Sequence, residues 1–90
     1  MTAGWTVRLE RRAEKDLSRL SAQNRSRVLQ FLYQRLLSAP SPRALGAPLN
    51  GPLGALWRYR VGDLRVIADI RDGDVLILVV QIGNRREVYR

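Results

Sequence analysis

Five residues in the second half of the sequence have the chemistry to bind a phosphate group. They are four arginines and one tyrosine: Arg58, Arg60, Arg65, Arg85 and Tyr89. A guanidinium group keeps its positive charge at any physiological pH and can bind two phosphate oxygens at once. Each of these arginines taken alone could also be an ordinary solvated surface charge. Three of them in one place would indicate an anion site instead.

Two predicted hairpins bring three of these arginines together. The stretch ALWRYRV is followed by Gly62-Asp63, then LRVIADIR, Asp72-Gly73 and DVLILVVQI. Both dipeptides are typical of two-residue turns, and a turn fixes the register of the strands that it joins. The first turn places Arg60 opposite Arg65. Like charges in direct opposition are unfavourable in a sheet, so this pairing favours an anion bound between them.

The same register sorts the side chains onto two faces. One predicted face is apolar and should pack on the helices: Trp57, Tyr59, Val61, Leu64, Val66, Ala68, Ile70, Val75, Ile77 and Val79. The opposite face carries the three arginines together with Ile67, Asp69, Leu76, Leu78, Val80 and Ile82. The last strand is apolar on both sides, which predicts a central or covered strand. Either the first strand and the long loop cover it, or it is a groove for a partner chain.

The first half of the sequence predicts the elements that must support this sheet. Trp5 to Leu9 alternates like a short strand, and from Leu9 to Leu20 the apolar residues change to helical spacing. A second helix is predicted from about Ala22 to Ser38, where Pro40 stops it. Residues 39–54 contain all four prolines and predict a long, ordered and functional loop. We therefore expect an α+β fold: an N-terminal strand and a two-helix hairpin packed on one face of a small antiparallel sheet.

Composition narrows the possible functions. Ninety residues predict one domain, residues 1–90. The chain lacks cysteine and histidine, which excludes disulfides, thiolate catalysis and histidine chemistry. Several aspartates fall at predicted hairpin tips, where turn chemistry explains them, so no metal or other cofactor is expected.

No apolar run approaches the roughly 18 residues of a membrane span, and the N-terminus does not resemble a signal peptide. We therefore expect a soluble cytoplasmic protein that binds no membrane.

The charge of the chain indicates an anionic partner. Sixteen basic residues against eight acidic ones give a net charge of +8. Fifteen of the sixteen are arginine, a bias that high genomic GC content could also produce. There is no acidic residue from Leu17 through Gly62, a stretch with seven arginines. This distribution favours nucleic acid or an acidic protein segment as the partner.

The segment from Leu56 to Arg90, LWRYRVGDLRVIADIRDGDVLILVVQIGNRREVYR, resembles the RelE family of bacterial toxin–antitoxin toxins, within the RelE/ParE superfamily. The helical stretch beginning RRAEKDLSRL also fits, so the resemblance covers nearly the whole chain. The tail G-x-R-R-E-V-Y is its most specific part. Asn84 stands where family members commonly have histidine, and Leu64 stands where an aromatic residue is usual before the arginine.

The resemblance implies a RelE-like, microbial-ribonuclease-like fold and a ribosome-dependent endoribonuclease that cuts mRNA and so inhibits translation. By matching positions, Arg65, Arg85 and Tyr89 would be catalytic, and Arg58 and Arg60 would bind the substrate phosphate. A cognate antitoxin would neutralise the toxin, and operator DNA would be bound through that antitoxin. The charge distribution adds Arg25, Arg27 and Arg35 on the predicted helices as candidates for docking on ribosomal RNA.

The chemistry of such a site would be metal-independent attack of a 2′-hydroxyl on the neighbouring phosphate. Arginine cannot act as a base at neutral pH but can neutralise the developing charge. Tyr89 is the candidate base, because neighbouring arginines favour its phenolate. Two alternatives stay open. One is a ParE-like inhibitor that binds DNA gyrase without catalysis, since the two functions share a fold. The other is a plain nucleic-acid-binding module, although the cluster lacks an aromatic stacking platform.

Overall fold

A computed structural model of the chain describes residues 4–49 and 56–84. The elements follow in the order β1 (Thr6–Leu9), α1 (Arg11–Ser18), α2 (Ala22–Gln30), β2 (Ala47–Pro48), β3 (Leu56–Val61), β4 (Leu64–Arg71) and β5 (Leu76–Asn84). Helix α2 continues as a π-helical segment, Phe31–Leu36, and a 3₁₀ turn, Asp72–Asp74, joins β4 to β5. Among the described residues, no helix is long and apolar enough to cross a membrane.

The five strands form one mixed sheet in the order β1-β5-β4-β3-β2. Strand β1 runs parallel to β5, and the other neighbours are antiparallel. The expected α+β class, with two helices on a small sheet, is confirmed; the parallel first strand makes the sheet mixed rather than purely antiparallel. Strand β5 lies between β1 and β4, which explains why its sequence is apolar on both sides.

The helices begin and end where the sequence provides local signals. The hydroxyl of Ser21 accepts a hydrogen bond from the backbone N–H of Asn24 at 3.2 Å, which caps the start of α2. Ala13 of α1 is fully buried against the sheet. The buried side of α2 and of its π-helical continuation is Val28, Phe31, Leu32 and Leu36. These apolar residues lie at helical spacing, as the sequence predicts.

The two hairpins differ in how well the sequence predicts them. In the first, Val61 pairs with Leu64 and Arg60 with Arg65, as predicted, and Gly62 has a positive φ of 60°. In the second, the predicted two-residue turn is wrong. Arg71 pairs with Leu76, so four residues form the connection. Val75 ends it in the left-handed conformation, φ 51° and ψ 46°, and is exposed instead of joining the core.

Because of a β-bulge in β5, one further residue, Ile82, lies on the face opposite to the predicted one. Ile67 pairs with Gln81 but Ala68 pairs with Val79, so Val80 is an extra residue without a partner on β4. One extra residue reverses the alternation of side chains beyond it. Ile82, predicted on the arginine face, therefore lies opposite Val66 in the core beneath the helices.

The core lies between the helices and one face of the sheet. Its sheet residues include Tyr59, Val66, Ala68, Ile77 and Val79, each fully buried. The rings of Tyr59 and Phe31 have centroids 5.4 Å apart and are tilted by 54°, a favourable aromatic geometry. Trp57 is half-buried and packs against this cluster.

Candidate functional site

The structure brings Arg58, Arg60 and Arg65 together at one cavity. Arg58 and Arg60 lie on β3, and Arg65 lies directly opposite Arg60 on β4. The cavity has a volume of about 410 Å³, and Gly46, Ala47 and Tyr59 complete its lining. We call it the arginine cavity. The other two predicted site residues, Arg85 and Tyr89, lie outside the described residues.

Among the described residues, no acid balances the charges of two arginines of the cavity, Arg58 and Arg60. Within the described ranges, neither Arg58 nor Arg60 has an ion-pair partner. Two of the aspartates bind other arginines: Asp72 pairs with Arg43, and Asp69 pairs with Arg71. The lining residues that the structure describes include no carboxylate. A bound anion would offset the repulsion between Arg60 and Arg65, which makes the cavity a candidate phosphate site.

The rest of the arginine face is partly covered. Ile67, which the alternation places beside the arginines, is fully buried, and Gln81 opposite it is 8% exposed. Leu76, Leu78 and Val80 on β5 are partly exposed. The prediction of an apolar strip beside the arginines therefore holds only for these three residues of the last strand.

The segment before β2 forms one wall of the cavity, and sequence reasoning did not identify the residues that hold it. Gly46 has a φ of 77° and lies so close to β3 that a Cβ there would be 2.8 Å from the indole nitrogen of Trp57 and 2.9 Å from a ring carbon of Tyr59. Only glycine fits this position without a shift. Ala47 then pairs with Arg58 across the edge of the sheet. A glycine in the proline-rich loop was the available signal.

Two aromatic residues of β3 fasten this segment to the sheet. The indole N–H of Trp57 donates to the carbonyl oxygen of Leu45 at 2.7 Å, and the phenol of Tyr59 donates to the carbonyl oxygen of Pro42. Burial raises the pKa of Tyr59 well above its ordinary value. Tyr59 is therefore a neutral hydrogen-bond donor that supports the wall and not a base.

An exposed ion pair adds a further fastening to the same segment. The guanidinium of Arg43 donates to both carboxylate oxygens of Asp72, each at 2.9 Å. The hydrogen bond from Arg43 is the main reason why the pKa of Asp72 is lowered. The guanidinium carbon also lies 6.0 Å from the ring centroid of Trp57, at the outer limit for a cation–π contact. The segment is thus tied to β3 and to the turn after β4.

The three arginines of the helices have different environments. Arg25 donates hydrogen bonds to the carbonyl oxygens of Leu17, Ser18 and Leu20, at 3.4, 3.3 and 3.0 Å. These bonds satisfy backbone carbonyl groups at the C-terminal end of α1. Arg27 and Arg35 are exposed and line a second depression, of about 360 Å³, together with Arg60. The structure therefore joins two of the predicted docking residues to the arginine cavity.

Asp16, which sequence reasoning did not single out, binds the backbone near the end of β5. A carboxylate oxygen of Asp16 on α1 accepts a hydrogen bond from the backbone N–H of Ile82 at 3.0 Å. That N–H lies just beyond the bulge at Val80. Asp16 therefore helps to hold the reversed alternation that puts Ile82 in the core.

No described part of the chain brings three or more His, Cys, Asp or Glu residues together in a way that could hold a metal ion. The described residues that line the arginine cavity offer fixed positive charges and hydrogen-bond donors. Such groups bind a phosphate and stabilise additional negative charge on it. The fold and this cavity define a small α+β protein with a candidate anion-binding site.

Comparison with known proteins identifies the family. A family model described as the ParE toxin of the type II toxin–antitoxin system, parDE, matches residues 7–89. The curated Toxin RelE of Mycobacterium tuberculosis is 35% identical over 78 residues, which is 87% of this chain and 78% of that protein. The chain therefore belongs to the RelE/ParE superfamily and is a RelE-family toxin of a type II toxin–antitoxin system, as the resemblance implied.

Further relatives agree with this assignment. Toxin RelG of M. tuberculosis is 27% identical over 86 residues, covering 96% of this chain and 97% of that protein. The toxin–antitoxin complex RelBE2 from the same organism superposes with a TM-score of 0.82 at 26% identity, covering 90% of this chain and 98% of the other. The isolated Escherichia coli RelE toxin, at 21% identity, has a TM-score of 0.71 over 94% of this chain and 90% of that chain, which shows the same fold.

Proposed function

We propose that this toxin is a ribosome-dependent endoribonuclease that cleaves mRNA without a metal ion. The observation that carries the proposal is the arginine cavity, where Arg58, Arg60 and Arg65 converge and where the described lining residues include no carboxylate. A scissile phosphodiester is the ligand that this charge and size fit. In the reaction, the 2′-oxygen loses its proton and bonds to phosphorus, the bond to the 5′-oxygen breaks, and that oxygen takes a proton from solvent water. A cyclic phosphate and a 5′-hydroxyl result.

Each candidate residue has a separate role in this proposal. Arg58 and Arg60 bind the non-bridging oxygens of the phosphate. Arg65 and Arg85 neutralise the charge that develops when the 2′-oxygen attacks. Tyr89 takes the proton of the 2′-hydroxyl, since adjacent guanidinium groups favour the phenolate.

The ribosome supplies what the cavity lacks. The described lining residues include no carboxylic acid. They therefore supply strong positive charge but few groups that can donate or accept a proton. Holding the 2′-hydroxyl in line with the phosphate of the same nucleotide can itself lower the barrier by several kcal/mol through orientation alone. A substrate fixed by the ribosome would receive this contribution without further groups from the toxin.

The test uses Arg65→Ala in a cleavage assay with purified ribosomes and a programmed mRNA. Loss of one charge-stabilising donor should lower the cleavage rate by about 10²–10³-fold. Arg8→Ala is the control, because Arg8 is an exposed strand arginine far from the cavity in the sheet order. Unchanged cleavage by folded Arg65→Ala would remove the arginine cavity from the mechanism.

A second candidate function has one observation in its favour. The matching family model is described as a ParE toxin, and ParE-like proteins were the alternative left open by the sequence. In this alternative the toxin binds DNA gyrase and performs no catalysis. The two candidates differ in what stops first in cells. Ribonuclease activity halts protein synthesis within minutes, whereas gyrase inhibition causes DNA damage and filamentation while translation continues.

We also propose that a cognate antitoxin neutralises this toxin in the cytoplasm and links it to operator DNA. Several of the similar structures are complexes of a RelE toxin with its RelB antitoxin. A net charge of +8 favours an acidic, amphipathic segment, with apolar side chains against the partly exposed Leu76, Leu78 and Val80. Affinity for the protein encoded beside the toxin gene should fall as salt rises; an affinity independent of salt would exclude the electrostatic part.

A further inference from the structure

A second depression with basic walls adjoins the arginine cavity. It lies between helix α2 with its π-helical continuation and the first hairpin, and we call it the side groove. Its lining is Arg27, Gln30, Phe31, Gln34, Arg35, Arg60, Val61 and Gly62. One guanidinium nitrogen of Arg27 would lie 3.9 Å from a Cβ built on Gly62, so the helix and the hairpin are close together here.

Arg60 belongs to the lining of both the arginine cavity and the side groove. The two depressions therefore meet at this residue. Arg60 lies on β3 beyond the two positions, Trp57 and Arg58, that pair with β2. Among the described residues, this part of β3 has no neighbouring strand on its outer side.

The side groove has charge that the protein itself does not neutralise. Within the described ranges, Arg27, Arg35 and Arg60 have no ion-pair partner, and all three are exposed. The part of the lining that the structure describes includes no acidic residue, and Asp63, the nearest in sequence, does not belong to it. The amide side chains of Gln30 and Gln34 are exposed between the arginines and can donate and accept hydrogen bonds.

We propose that the side groove binds the substrate RNA strand next to the scissile phosphate. On this basis Arg27 and Arg35 bind phosphates of the same strand whose cleaved phosphate lies in the arginine cavity, and Arg60 is the contact that both depressions share. Continuity through Arg60 favours the substrate strand over ribosomal RNA, which would not need to pass through the cavity. The inference rests on the proposed ribonuclease function and names the path of its substrate.

The experiment measures binding of non-cleavable RNA to the purified toxin. The probes are a 2′-O-methyl hexanucleotide and a 2′-O-methyl dinucleotide, which lack the attacking hydroxyl and carry five phosphates and one phosphate. The test variant is Arg27→Gln with Arg35→Gln. The matched control is Arg11→Gln with Arg12→Gln, two exposed arginines of α1 outside both depressions, which changes the net charge equally.

Loss of two phosphate contacts should reduce the slope of log affinity against log salt by about 1.4 for the hexanucleotide. When the salt concentration rises from 50 to 200 mM, the factor by which affinity falls should then be about seven times smaller for the test variant than for the wild type. Binding of the dinucleotide should not change, and the control should match the wild type for both probes. The comparison of two probes on one variant separates a lost contact from a misfolded protein.

Several outcomes would overturn the inference. In the first, the slope of log affinity against log salt for the hexanucleotide is the same for the test variant, the control and the wild type. In the second, the wild type does not bind the hexanucleotide. A third is normal hexanucleotide binding by the test variant combined with weaker binding to ribosomes that carry no mRNA, which would assign the side groove to ribosomal RNA. In each case, loss of cleavage by Arg65→Ala would still support the ribonuclease. Conversely, a changed slope without any cleavage on ribosomes would refute the catalytic proposal and would leave the side groove as an RNA-binding site without a substrate strand.

Discussion

The hydrogen bond from Tyr59 to Pro42 gives a prediction that depends on pH. Tyr59 is fully buried, and its phenol donates to a carbonyl oxygen of a buried proline. Replacing Tyr59 with phenylalanine removes the donor and leaves that carbonyl unsatisfied, which costs about 1–3 kcal/mol. Since 1 kcal/mol shifts the melting temperature of a domain this small by about 4–8 °C, the loss at neutral pH should be at least about 4 °C.

The sign of the pH effect follows from burial, which raises the pKa of Tyr59 in the folded protein. In the unfolded chain the phenol ionises near pH 10, while in the folded chain it stays neutral. Ionisation therefore favours unfolding as the pH rises. The stability that neutral Tyr59 contributes is complete below pH 10 and falls by about 1 kcal/mol between pH 10 and pH 11.

The assay is urea unfolding at several pH values for the wild type, Tyr59→Phe and Tyr33→Phe. Tyr33 is 47% exposed and serves as the control for removal of a phenol. Between pH 9 and pH 11 the stability gap between the wild type and Tyr59→Phe should narrow, whereas Tyr33→Phe should follow the wild type. If Tyr59→Phe lost stability in alkali as steeply as the wild type, the assigned burial and hydrogen bond would be wrong.

Substitutions at three further positions test the supports of the site by thermal unfolding. Trp57→Ala removes a half-buried indole and its bond to Leu45 and should cost about 3 kcal/mol; an unchanged melting temperature would contradict the packing. Gly46→Ala introduces a Cβ where φ is positive and the strand is close, so it should cost more than about 1 kcal/mol, and a stabilised variant would refute the close approach. Asp16→Ala should cost about 1.5–3 kcal/mol by freeing the N–H of Ile82, whereas Asp16→Asn, which keeps an acceptor, should cost less.

The parts of the fold that sequence could predict are those fixed by local chemistry. Gly62 supplies the positive φ that a tight turn needs, so the pairing of Arg60 with Arg65 follows from adjacent residues. The second turn failed because Asp72, Gly73 and Asp74 all favour turns, and a two-residue and a four-residue connection are equally compatible with them.

The bulge and the cavity wall depend on contacts between distant parts of the chain. The extra residue at Val80 is apolar like its neighbours in β5, so the hydrophobic periodicity of the sequence does not reveal the bulge. The carboxylate that helps to hold the bulge comes from α1, which is distant in sequence. The position of Gly46 likewise depends on bonds from β3 to a segment more than ten residues earlier. Three arginines of the site could thus be placed from sequence, while the wall beside them could not.

The alternation of β3 explains how one short strand can both hold the wall and bind the ligand. In the sequence Trp57-Arg58-Tyr59-Arg60, the aromatic residues pack toward the helices, and their polar atoms reach the carbonyl oxygens of the segment before β2. The arginines between them line the cavity on the other side. A shift of this strand by one residue would exchange the two sets and lose both functions at once. The buried bond of Tyr59 therefore stabilises the same register that places Arg60 opposite Arg65.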